Sequence, residues 1–182
     1  MINAVLSDPW IAARIRHDSR EPSYIEHPNL SYFAGYDDGR LAGIFTAIRH
    51  SAWEIEVHAA LGRHAIRRGR VLGREFLAEL WRDPELLRIT APVLSTLPSA
   101  VNYCRRLGFV DEGVKRRACR QNGVAIDVVY LGMTWADWGL STAIEKGDDC
   151  EGDCGRDDSA GQDFGDISDH IGVRPDQEVL RG

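Results

Sequence analysis

The chain has 182 residues, 43% of them hydrophobic, and a formal net charge of -6, a length and composition that suit one folded domain with a core plus an appendage. It holds no run of eighteen apolar residues, which excludes a membrane-spanning helix, and its first ten residues, MINAVLSDPW, lack the basic and apolar regions of a secretory signal. The charge is unevenly spread: residues 145–182 carry 12 acidic and 4 basic side chains, against 16 acidic and 18 basic in the rest. A mildly basic body therefore carries an acidic end. That acidic balance argues against nucleic acid as a partner.

The first element in chain order is a short helix, about Pro9 to Arg16. Ser7 or Asp8 can cap it, and Pro9 stands at its first position. SREPSYIEHPN reads as a proline-broken loop. LSYFAGYDDGRLAGIFTAI then reads as a hairpin, with strands near Tyr32–Tyr36 and Leu41–Ile48 around an Asp-Asp-Gly turn. A third strand follows over Trp53–Ala60. Its alternation puts Trp53, Ile55 and Val57 on one face and Glu54, Glu56 and His58 on the other.

GRHAIRRGRVLGREF, residues 62–76, comes next, with six basic residues and three glycines. It leads into a helix of about Val71 to Arg82. Another strand is predicted over Arg88–Val93, then a helix in PSAVNYCRRLGF that Gly108 can cap in the left-handed conformation. DEGVKRRACRQNGVAIDVVYLGMTW is a closing hairpin over a Gln-Asn-Gly turn. The elements together give an α+β domain around a central, mostly antiparallel mixed sheet flanked by helices, spanning residues 1–138.

Residues 139–182 form the appendage, rich in Asp and Gly. Such a composition cannot bury enough apolar surface to offset its ordering entropy, so the segment is expected to be disordered alone or ordered on a partner. Its apolar anchors in that case are Phe164, Ile167, Ile171, Val173 and Leu180. Cys150 and Cys154, without a second pair or a histidine cluster, define no metal site.

EIEVHAAL with the basic loop, and PSAVNYCRRLGFVDEG, resemble two segments of the GNAT superfamily of acyl-CoA-dependent N-acyltransferases. The resemblance covers roughly Leu30 to Trp138. It implies a GNAT-like fold and acetyl transfer from acetyl-CoA to an amine substrate. It also implies a CoA pyrophosphate held at the N-terminus of the helix after the basic loop, by Arg67, Arg68, Gly69, Arg70 and Gly73. The physics is general: unpaired amides and the positive helix end favour a phosphate. The loop departs from the family pattern of Arg/Gln-x-x-Gly-x-Gly/Ala in either register. In one, Arg67 stands at the first glycine; in the other, Glu75 replaces a small residue.

Acyl transfer to an amine also needs a base, and an acid for the departing thiolate. In the family the base is often a Glu on the strand before the loop, for which Glu56 and His58 are the candidates. Four residues before Gly108, where the family often has an acidic Tyr, stands Cys104, with Tyr103 one position earlier and turned about 100° away. Cys104 is thus the candidate acid, and Tyr103 is expected to face the core.

A narrower similarity is to GNAT-like proteins encoded by tailed bacteriophages beside head and tail genes. It implies an alternative role as a non-catalytic structural or assembly protein of the virion. The appendage then binds other virion proteins or joins a homo-oligomer. Either role places the chain in a bacterial host cytoplasm, and the second also in the virion.

Overall fold

The computed structural model describes residues 1–18 and 21–148, with side chains as far as Thr142. The segment from Asp149 onward lies outside the described residues, and with it Cys150, Cys154 and the five apolar anchors. Two short helices, α1 (Ile2–Leu6) and α2 (Pro9–Ile15), open the chain. Asp8 caps α2, its carboxylate accepting the Trp10 and Ile11 amides at 2.9 and 3.2 Å. Three strands follow: β1 (Leu30–Asp37), β2 (Arg40–Arg49) and β3 (Glu54–Leu61). A 3-10 turn at Arg63–Ala65 then leads to α3 (Gly69–Leu80), β4 (Arg88–Leu94), α4 (Pro98–Leu107), β5 (Val110–Gln121), β6 (Val124–Thr134) and α5 (Trp135–Asp148).

The strands form one sheet in the order β1-β2-β3-β4-β6-β5, antiparallel throughout except for the parallel β3–β4 pair. Turn chemistry fixes both hairpins. Asp38 and Gly39 have φ of 48° and 72°, and Asn122 and Gly123 have 51° and 76°, the left-handed pair that a two-residue hairpin demands. This mixed α+β architecture is the one the sequence predicts.

Alternation along the strands gives the sheet two unlike faces. Ile55, Val57, Ile89, Ala91, Leu131 and Met133 lie in one core cluster with Leu72, Phe76 and Leu77 of α3 and Val101 and Leu107 of α4. Phe76 stacks on Phe45 at 4.7 Å and meets Phe33 edge-on at 5.2 Å. Leu6, Ile11 and Ile44 are buried apart from that cluster, where α1 meets β2 and α2 meets β3. The polar set Glu54, Glu56, His58 and Thr90 alternates with the core residues and so belongs to the opposite face.

Three observations differ from expectation. Trp53 precedes β3 and is exposed, because the turn from β2 ends only at Glu54. α1 is one turn long, too short for a hydrophobic period to announce. And α5 runs through the composition change at residue 139 as far as Asp148. Its start is fixed by a reciprocal cap: the Thr134 amide donates to Asp137 Oδ2 at 2.8 Å, and the Asp137 amide to Thr134 Oγ1 at 3.4 Å. Trp135 then meets Trp81 edge-on at 5.4 Å, and Arg74 lies over Trp138 at 4.9 Å. No helix among the described residues is long and apolar enough to cross a membrane.

Candidate active site

The parallel ladder between β3 and β4 is short. It pairs Glu54 with Arg88, Ile55 with Ile89 and Glu56 with Thr90, and stops there. Beyond it β3 runs on to Leu61 beside β2, while β4 runs on to Leu94 beside β6. The two strands therefore part at Glu56 and Thr90, leaving unpaired backbone on both sides of a wedge at their C-terminal ends. The chain leaves β3 at that end and enters α3, so the N-terminus of α3 lies on the same side as the wedge.

Glu56 stands at the apex and is bracketed by imidazoles. His58 Nε2 lies 2.9 Å from its Oε1, and His50 Nε2 lies 3.2 Å from its Oε2. The hydrogen bond from His58 holds the carboxyl below its ordinary value of 4.5, opposed by partial burial and helped by the charge of His58 and by His50. Glu56 keeps only 22% of its surface, whereas the two histidines keep 44% and 49%. The carboxylate is thus the anchored member and the imidazoles are the accessible ones.

The sequence reading missed His50. In the β2–β3 register Arg49 faces Ile55 and Ile48 faces Glu56, so His50 stands diagonally across from Glu56 on the same face. The His50 amide donates to the Glu54 carbonyl at 3.0 Å, which holds the turn in that place. A signal existed in HSAWEIE, a tight turn between two alternating strands. Thr90, buried, donates its hydroxyl to Glu54 Oε1 at 3.0 Å, and Arg88 ion-pairs with both Glu54 and Glu112. Among the described residues no group of His, Cys, Asp or Glu is arranged to hold a metal ion.

The basic loop is less open than its composition suggests. His64 Nε2 lies 3.2 Å from the Leu41 carbonyl, and Arg68 is drawn to Asp37 at 3.5 Å. Arg67, Arg68 and Arg70 are exposed around the start of α3, whose first turn has no side-chain cap. That uncapped, cationic end fits an anionic group, since helix amides and guanidinium groups both favour one.

Both glycines of the expected phosphate loop are closely packed by side chains. A Cβ on Gly69 meets Leu61 at 3.3 Å, and one on Gly73 collides with the Tyr103 hydroxyl. Gly73 lies a turn inside α3, where its missing side chain admits Tyr103; it does not line the helix end. Tyr103 donates its hydroxyl to the Gly69 carbonyl at 2.8 Å and packs against the core. Burial pushes its pKa up. Cys104 is itself a core residue, 8% exposed, and burial raises its thiol to about 11. It is a protonated group at neutral pH, but one enclosed by apolar side chains.

No protein-family model matches the sequence, and no curated protein matches it. Solved structures do match in fold. A putative acetyltransferase superposes with a TM-score of 0.59 at 19% identity over 64% of this chain and 63% of its own. A mutant form of the spermidine N-acetyltransferase SpeG from Vibrio cholerae gives 0.56 at 22% identity over 60% and 68%. An acetyltransferase of the GNAT family from Streptococcus pneumoniae gives 0.50 at 22% identity over 59% and 68%. The chain spans somewhat under two thirds of the first of these. At such identities the likeness concerns architecture: the chain has the GNAT acetyltransferase fold.

Proposed function

We propose that the chain is an N-acetyltransferase acting on an amine, with the Glu56–His58 pair as its proton-accepting device. The observation that carries this reading is the position of that pair at the apex of the only parallel strand pair in the sheet among the described residues, where the two strands separate. When bound, acetyl-CoA supplies the acetyl thioester, with its pyrophosphate held by the first-turn amides of α3 and by Arg67, Arg68 and Arg70. An amine at neutral pH is an ammonium ion and must lose a proton before its nitrogen attacks. His58, with Nε2 turned to Glu56, presents Nδ1 as the acceptor. Glu56 remains ionised and stabilises the imidazolium that forms, the role a buried carboxylate plays behind a catalytic histidine.

The new bond is C–N and the broken bond is C–S. The departing thiolate takes up a proton from water or from the acylated nitrogen, because Cys104 is enclosed in the core and the Tyr103 hydroxyl is engaged by Gly69. The alternative, a non-catalytic virion assembly protein, rests on the departures of the loop from the family pattern, on the missing Tyr acid and on the appendage, most of which lies outside the described residues. The test is release of free thiol from acetyl-CoA in the presence of primary amines. Turnover that disappears in His58→Gln supports the proposal; equal thiol release with and without amine contradicts it.

A further inference from the structure

An open hollow of about 480 Å³ lies near the tip of the β5–β6 hairpin, past the C-terminal end of β4. It is lined by His17, Arg117, Ala118, Cys119, Arg120 and Ala125, and its volume is in the range of small-molecule sites. β5 makes room for it by bulging. Lys115 pairs with Val128 and Cys119 with Ile126, so three residues of β5 face the single Asp127 of β6. Arg117, in the middle of the bulge, has φ of 52°, a conformation unfavourable for a side chain of that size. Strain of this kind persists where the surroundings impose it and clusters at binding sites.

The lysine and arginine side chains lining the hollow are those of Arg117 and Arg120. Lys115, Arg116, Arg117 and Arg120 form no ion pair with any described residue. The two nearby carboxylates serve the backbone instead. Asp127 accepts the Arg117 amide at 2.7 Å, and Asp18 accepts the amides of Asn122 and Gly123, each at 2.7 Å. With both carboxylates engaged by backbone amides, the guanidinium donors of Arg117 and Arg120 are left unused. The acids hold the bulge and the turn in shape, and the arginines face outward from that frame.

We propose that this hollow binds an oxyanion group, phosphate or carboxylate, carried by a small ligand. The site is independent of the acetyl-transfer reading and shares no residue with it. Arg117 and Arg120 supply the paired donors, and the small side chains of Ala118 and Ala125 leave space for the rest of the ligand. The left-handed backbone at Arg117 allows a useful variant, since Arg117→Gly removes the charge while relieving the strain.

The test is an amide NMR titration of the full chain with sodium phosphate and, separately, sodium acetate, at ionic strength held constant with sodium chloride. The expected result is a saturable shift at residues 117–120 with at least one of the two anions. Arg117→Gly and Arg120→Gln should each weaken it about tenfold, with Arg117→Gly melting no lower than the parent chain. Preference for phosphate or for acetate identifies the group. Shifts that never saturate and equal those from chloride overturn the proposal, as does unchanged affinity in both variants.

Discussion

Glu56 has two oxygens and an imidazole on each, and that arrangement determines what it can do. A carboxylate held below its ordinary pKa is a poor proton acceptor and a good counter-ion, which is why the proposed mechanism gives proton transfer to His58. Replacing His58 with Gln should reduce kcat by about 10²–10⁴, the usual worth of general acid–base catalysis. Glu56→Gln should reduce it comparably, while His50→Gln, which leaves the Glu56–His58 contact in place, should cost far less. A steady-state comparison of the three variants checks the order. The same contact has a stability consequence. Because folding lowers the pKa of Glu56, its contribution is fully present above the ordinary value of 4.5 and fades as pH falls through the lower folded value. Acid unfolding of Glu56→Gln should therefore show a weaker pH dependence in that range than the parent chain. Gly73 offers a separate test. A Cβ there collides with the Tyr103 hydroxyl, so Gly73→Ala should destabilise by about 1–3 kcal/mol. Tyr103→Phe removes the obstructing oxygen, so the double variant should lose less than the two single changes combined, read by urea denaturation.

At the scale of elements, the turns and caps show how much local chemistry was legible. Asp-Asp-Gly and Gln-Asn-Gly announced both hairpins, Asp8-Pro9 announced α2, and Gly108, with φ of 101°, ends α4 as expected. α5 had an equally plain signal in Thr134-x-x-Asp137, yet the change to small and acidic residues outweighed it. The helix extends because Trp135 and Trp138 bind it to the rest of the fold, a tertiary contact that composition does not register. Thr134→Ala removes a hydroxyl that both accepts the Asp137 amide and donates to its carboxylate at 2.6 Å. The expected loss is about 0.5–2 kcal/mol, measurable by thermal denaturation. The Thr134 hydroxyl, and after it the Thr134 amide, also hold Asp137 below its usual pKa. The cap is thus intact above the ordinary carboxylate range and lost as pH falls through the lowered value.

For the whole molecule, the sequence supported the architecture more firmly than the site. Periodicity and turn residues place six strands and their order along the chain, but the separation of β3 from β4 is a property of pairing between segments more than thirty residues apart. Glu56 and His58 were identifiable as the polar side of an alternating strand, whereas His50 joined them only through the hairpin register. The basic loop was legible as charge and illegible as contact, since the pairing of Arg68 with Asp37 depends on where the first hairpin ends. That pairing makes a prediction for the assembled site: Asp37→Asn should tighten binding of an anionic nucleotide by releasing Arg68, and Arg67→Ala with Arg70→Ala should weaken it by about 1–3 kcal/mol per charged hydrogen bond lost. The central claim is that the parted strands and the uncapped end of α3 form a working acetyl-CoA site. Isothermal titration of the full chain with acetyl-CoA tests it most directly. The expected result is one saturable site of micromolar affinity, weakened in the double arginine variant. No heat of binding across the millimolar range, or equal affinity in that variant, contradicts it.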